Sequence, residues 1–143
     1  ALGLSQMAQL SDFVERRRTL KSRYDRLFAA AGLRAQPVAT PQYCDPCRHL
    51  YPVLVDFDGM GLSRSAVMKR LHARGIGTQV HYIPIHLQPY YRAIHPDLRL
   101  PGAEAYYRRA LSLPMFPAME DLDTDRVVDA LGKALDADAA TQA

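Results

Sequence analysis

The chain has few of the residues on which several function classes depend. It holds two cysteines in 143 residues, both in Cys44-Asp-Pro-Cys47, and no second pair that would complete a tetrahedral zinc site. The pair lies in a proline-rich loop ahead of a predicted strand. It is not at the helix N-terminus that lowers a redox thiol's pKa, so the two read as reduced loop cysteines of a cytoplasmic protein. His49 and His72 add no metal-ligand spacing, and a metal site is not expected. No apolar run approaches the ~18 residues of a membrane span. The N-terminus carries charge within an amphipathic pattern and is no signal peptide. The net charge of +3 comes without a basic tail, which gives a nucleic-acid role little support. Only three lysines occur, Lys21, Lys69 and Lys133. Each sits among charged or polar neighbours on a predicted helix and reads as part of a solvated face.

What is present is the pattern of one ordinary domain. Hydrophobic residues make up 48% and charged residues 23%, the balance of a globular protein. Leu4, Met7, Leu10, Phe13 or Val14, Leu20, Tyr24 and Leu27 recur at helical steps. They predict one long helix over residues 2–31, stopped by Gly32. Arg16, Arg17 and Arg18 read as its solvated face, with Asp12 and Arg16 as an i,i+4 pair. Residues 34–48 read as irregular. Residues 50–57 read as a strand, with Pro52 arguing for an edge position or a bulge. Ser63 caps a predicted helix that Gly75 ends. Residues 76–82 read as a second strand, residues 101–110 as a helix and residues 111–113 as a third strand. The last helix starts at Asp121, with Thr124, Val128, Leu131 and Leu135 on one stripe, and Gly132 weakens it by about 1 kcal/mol relative to Ala. The fold class expected is α+β: a small sheet of about three strands covered by helices. The expected domain runs over residues 1–136, with an α/β body at 49–136 and a frayed tail at 137–143.

The richest stretch is Gly75-Ile-Gly-Thr-Gln-Val-His-Tyr-Ile-Pro-Ile-His86, which continues into Leu87-Gln-Pro-Tyr-Tyr-Arg92. Two imidazoles and a phenol (His81, Tyr82, His86) stand at a strand exit leading into a proline-fixed turn. Alone, a strand histidine is most often hydrogen-bonded structure. In a cluster beside Gln88, Tyr90 and Tyr91, imidazoles and an amide can meet hydroxyl or phosphate oxygens, and a tyrosine ring can pack on a sugar. Tyr106, Tyr107, Arg108 and Arg109 admit a base-stacking reading, but helix packing with extended arginines is the commoner outcome.

The same stretch resembles the signature of the C-terminal domain of the DegT/DnrJ/EryC1/StrS family of pyridoxal-phosphate-dependent sugar aminotransferases. Four further segments, in the family's order, are similar to its members: Ala1-Leu-Gly-Leu-Ser-Gln6, His49-Leu-Tyr-Pro-Val53, Ala105-Tyr-Tyr-Arg-Arg-Ala-Leu-Ser-Leu-Pro114 and Asp125-Arg-Val-Val-Asp-Ala-Leu131. The resemblance implies the small domain of a fold-type I aminotransferase. It implies an amino group carried to a nucleotide-linked keto-sugar, with glutamate as a typical donor. His81, Tyr82, His86 and Gln88 would then be substrate-binding residues beside a cleft between domains. Pyridoxal phosphate would belong to the full-length parent, in a large N-terminal domain that carries the cofactor lysine and phosphate cup, and the parent would be a homodimer. None of the three lysines shows the family's serine-to-lysine spacing, and the chain opens on Ala1 without an initiator methionine. The expectation is therefore a fragment with no catalytic residue or cofactor contact of its own, inactive alone. The segments His81-Tyr-Ile-Pro-Ile-His-Leu-Gln-Pro-Tyr-Tyr-Arg92 and Ala105–Pro117 look most like the C4 aminotransferases of UDP-linked 4-keto-6-deoxy hexosamines, in pseudaminic-acid-type and related surface-glycan pathways. Two alternatives stay open: a dehydratase of the same family, with His in place of the lysine, and a non-catalytic interaction module with this fold.

Overall fold

The apolar repeat at the N-terminus does produce helix, but in two pieces. The structure is a computed structural model that describes residues 2–136. Helix α1 (Leu2–Ala8) and helix α2 (Leu10–Ala31) are separated at Gln9, whose φ of −101° and ψ of 1° leave the helical region. Helix α2 buries Leu20, Tyr24 and Phe28, spaced four residues apart on one face. Gly32, with φ 58°, ends it in the left-handed conformation that glycine alone adopts freely. The stripe is uncovered at its start: Leu4, Met7 and Leu10 are exposed.

Arg16 does not pair with Asp12. Its guanidinium reaches the last helix, α6 (Asp121–Asp136), lying 2.8 Å from Asp121 and also donating to the Met119 carbonyl. Arg23 donates to Thr124 Oγ1 at 2.9 Å and to Asp125 at 2.6 Å. Carboxylates near the start of α6 gain from the helix dipole as well as from these arginines. Tertiary acceptors therefore displace the local pair.

The sheet is antiparallel with strand order β1-β2-β3: β1 (Ala35–Pro37), β2 (Tyr51–Val55) and β3 (Ala110–Leu113). Two expectations change here. The segment read as irregular supplies β1, so Pro52 lies in the central strand and not at an edge. Ser112, opposite Pro52, bonds outward to Gln79, which makes Pro52–Ser112 a non-hydrogen-bonded pair that needs no N–H from proline. On its other side the Pro52 carbonyl accepts from Val38 at 3.1 Å, just past the end of β1. The missing donor thus falls where the ladder is already finishing.

The second change concerns residues 76–82. They form no strand, only a single antiparallel bridge between Gln79 and Ser112. Gly75 and Gly77 give that run no side chains to pack on a pleat, and Pro84 turns it away. Burial still alternates over its first part, with Ile76, Thr78 and Val80 more covered than Gly77 and Gln79, and the alternation breaks at His81, which is half-buried, and Tyr82, which is exposed.

Helix α3 (Arg64–His72) buries Val67 and Leu71. Ser63 holds the N-cap position, but its hydroxyl faces Ser65 Oγ at 2.7 Å and makes no bond to the helix backbone. The far end closes as expected. Ile76 N–H bonds the Leu71 carbonyl at 3.0 Å and Gly75 N–H bonds His72 at 2.9 Å, a Schellman pair that places Gly75 at φ 76°. Helix α6 buries Thr124, Val128, Leu131 and Leu135 together, the predicted stripe. Gly132 is also buried, and a Cβ there would stand 3.2 Å from Leu33 Cδ2, so the weak helix former permits a close approach. Beneath the sheet, Tyr24 stacks on Tyr51 with centroids 4.5 Å apart. Tyr24 donates to the Pro114 carbonyl and Tyr51 to Asp25. Burial raises both phenols well above their ordinary pKa, and for Tyr51 the Asp25 hydrogen bond adds to it. The expected frayed tail at 137–143 lies outside the described residues.

Candidate functional site

Ser112 is the anchor from which the site is built. It is buried in a strand whose other residues are apolar. Its N–H donates to Gln79 at 2.8 Å, its carbonyl accepts from Gln79 at 3.1 Å, and its Oγ lies 2.8 Å from His81 Nδ1. One residue thus fixes both the course of segment 76–82 and the plane of the His81 ring. The His81–Tyr82 peptide bond is cis, and the two rings meet edge to face at 4.7 Å. Tyr82 is 74% exposed.

Pro84 opens a 3-10 turn over Ile85–Leu87, closed by bonds from Leu87 to Pro84 (2.9 Å) and from Gln88 to Ile85 (3.1 Å). The turn drives His86 inward to 5% exposure. A buried imidazole needs a partner. His86 Nε2 finds Glu104 Oε1 at 3.0 Å, on α5 (Pro101–Arg109), and the same oxygen accepts the Leu100 N–H at 3.1 Å. The His86 hydrogen bond, followed by that of Leu100, holds the Glu104 carboxyl below its ordinary pKa of 4.5. Gln88 stands exposed at the head of α4 (Pro89–Ile94), where Tyr90 and Tyr91 meet edge to face at 5.2 Å.

The four sequence-predicted residues therefore occupy one continuous segment in different environments. His81 is half-buried, with Nδ1 engaged by Ser112. Tyr82 and Gln88 are open, and His86 is interior. His81 and Tyr82 touch, whereas His86 and Gln88 lie beyond the Pro84 turn. Sequence reasoning missed Ser112 and Glu104. A lone serine in the apolar run Ala110-Leu-Ser-Leu113 was the available signal, since a buried hydroxyl implies a partner. Glu104 is the acidic residue in the first turn of α5, an unremarked position.

A cavity of about 380 Å³ adjoins the segment, lined by Ile76, Pro114, Phe116, Met119, Arg126 and neighbours, but by none of the four. Helix α5 is packed from the side: Arg64 lies 4.7 Å over the Tyr107 ring and donates to the Tyr107 and Ala110 carbonyls. Cys44 and Cys47 are free and exposed.

The lysines do not fit a covalently held cofactor. Lys21 pairs with Asp25 and Lys133 with Asp129, each one helical turn away, and Lys69 is exposed on α3. None faces the enclosed, phosphate-binding surroundings that such a lysine requires. No helix among the described residues is long and apolar enough to cross a membrane.

The family model of the DegT/DnrJ/EryC1/StrS aminotransferase family matches residues 1–132. Helicobacter pylori PseC, an aminotransferase involved in the biosynthesis of pseudoaminic acid, superposes with a TM-score of 0.85 at 26% identity, over 95% of this chain and 36% of that one. Spr1654 of Streptococcus pneumoniae, described as a sugar aminotransferase and solved in its PMP form, gives 0.85 at 26% identity, over 99% and 35%. The aminotransferase TlmJ of Streptoalloteichus hindustanus gives 0.81 at 30% identity, over 96% and 36%. The chain thus spans about a third of the length of these relatives.

Proposed function

Because the chain belongs to the DegT/DnrJ/EryC1/StrS aminotransferase family, we propose that it is the C-terminal small domain of a pyridoxal-phosphate-dependent sugar aminotransferase. The full-length protein moves an amino group from glutamate to a nucleotide-linked 4-keto-6-deoxy sugar. The observation that carries this is the likeness to PseC over 95% of the chain, at a TM-score of 0.85. The large cofactor domain is the partner of this one, the full-length protein is a cytoplasmic homodimer, and the small domain alone does not transaminate. When bound in the large domain, the cofactor supplies the electron sink for amino transfer.

The residues of this chain bind and orient the sugar nucleotide. Tyr82 presents an open ring to a sugar face. His81, held at Nδ1 by Ser112, keeps Nε2 for a hydroxyl or phosphate oxygen. Gln88 offers an amide donor and acceptor at the head of α4. His86, interior and bonded to Glu104, serves the substrate by holding the turn that places its neighbours.

The test is the visible absorbance band of the full-length protein reconstituted with pyridoxal phosphate. Glutamate should bleach the band, and a UDP-linked 4-keto-6-deoxy hexosamine should restore it and emerge aminated. A protein with no band, or with a band indifferent to glutamate, would overturn the transaminase reading. A dehydrated sugar product would replace it with the dehydratase of the same family.

A further inference from the structure

Residues 88–100 are exposed without exception. They are nonetheless folded, and among the described residues by local bonds alone. Arg92 N–H donates to Gln88 at 2.9 Å, His95 to Tyr91 at 2.9 Å and Leu98 to His95 at 3.2 Å, while Arg99 donates to the carbonyls of Pro96 and Leu98. The excursion therefore adds nothing to the buried core, and its position depends on how its two ends are held. One end is the buried His86, the other is the backbone of Leu100, and both bond the same oxygen, Oε1 of Glu104, at 3.0 and 3.1 Å. A single carboxylate closes the neck of the excursion.

We propose that Glu104 is a positioning residue. By bridging His86 and Leu100 it sets where the 88–100 excursion stands, and with it Gln88, the substrate-facing group at its head, and the Tyr90–Tyr91 pair beside it. The role rests on the function proposed above, in which this segment meets the sugar nucleotide. A carboxylate suits the task because each of its oxygens accepts more than one donor, and charge-assisted bonds are stronger than neutral ones. Loss of the carboxylate leaves the core intact and frees the neck, since segments with few buried contacts open at the lowest cost.

The experiment uses the full-length protein in three forms: wild type, Glu104→Ala and Glu104→Gln. In Glu104→Ala, amide hydrogen exchange over 86–100 should quicken by about tenfold, with β2 and β3 unchanged. The KM for the nucleotide sugar should rise by about tenfold while the KM for the amino donor stays put. Glu104→Gln keeps an Oε1 acceptor and should bring both readouts back most of the way. Exchange over 86–100 that is unchanged in Glu104→Ala overturns the neck, whatever the activity. Quickened exchange with an unmoved nucleotide-sugar KM leaves the neck standing but overturns the positioning role, while the assignment of His81 and Tyr82, which are fastened through Ser112, is tested separately.

Discussion

His81 Nδ1 stands 2.8 Å from the Oγ of Ser112, a residue whose own N–H and carbonyl are both engaged by Gln79. The segment carrying the candidate substrate groups is therefore fastened to the sheet at one residue, by two backbone bonds and one side-chain bond. Ser112→Ala removes only the last. The expected cost to stability is about 1 kcal/mol, the net value of one such bond, read from urea unfolding. The nucleotide-sugar KM should rise in the same variant, because the His81 ring is no longer oriented, while the amino-donor KM does not. A variant with an unaltered sugar KM would mean that His81 needs no orientation.

Gly75 holds φ 76°, and nothing lies within 4 Å of where a Cβ would be. The cost of Gly75→Ala is therefore conformational alone, about 1–2 kcal/mol for an L-residue in the left-handed region. Chemical denaturation measures it directly. A neutral result would show that the α3 terminus relaxes out of the Schellman geometry.

Gly132 makes the opposite case, in which the backbone is ordinary and the space is short. Gly132→Val drives a branched side chain against Leu33, 3.2 Å from the missing Cβ. A loss of about 1–3 kcal/mol is expected from overpacking. Leu33→Ala in the same background should return part of it. A double-mutant cycle with no coupling would dissociate the two positions.

Acid should loosen the α2–α6 contact. Asp121 is held below its ordinary pKa of 3.8, first by the hydrogen bond from Arg16 and then by the charges of Arg16, Arg23 and Arg26, against a desolvation that works the other way. A depressed folded-state pKa contributes stability that is fully present above the unfolded value, near pH 4, and is lost as pH falls through the folded value. The Tm gap between wild type and Arg16→Met should hence be constant above about pH 5 and shrink on acidification. A gap independent of pH would show that Arg16 acts through the Met119 carbonyl alone.

Much of this was legible in the residues, for reasons that differ by element. The stripe of α6 and the stops at Gly32 and Gly75 follow from local rules, periodicity and left-handed glycine, and they are found where the sequence puts them. Long-range pairing is what local rules miss. The strand Ala35–Pro37 carries no alternation long enough to see, and exists because β2 offers it an edge. Residues 76–82 have a strand's composition, but Gly77 within them, Gly75 before them and Pro84 after them leave a single bridge. Arg16 prefers an acceptor more than a hundred positions away over one four positions away. At the candidate site the sequence marks the aromatic and imidazole groups but not their fasteners, Ser112 and Glu104. Those become visible only when β3 and α5 are set beside the segment.

The central claim is that the His81–Gln88 segment meets the sugar nucleotide, and Tyr82 tests it most directly. Its side chain is 74% exposed, so Tyr82→Ala should leave the fold untouched, with a stability change within about 0.5 kcal/mol. Steady-state kinetics of the full-length protein should show the nucleotide-sugar KM raised by about tenfold, one stacking contact's worth, with the glutamate KM unchanged. Equal KM values for wild type and Tyr82→Ala, at intact stability, would contradict the account and move the substrate site away from this segment.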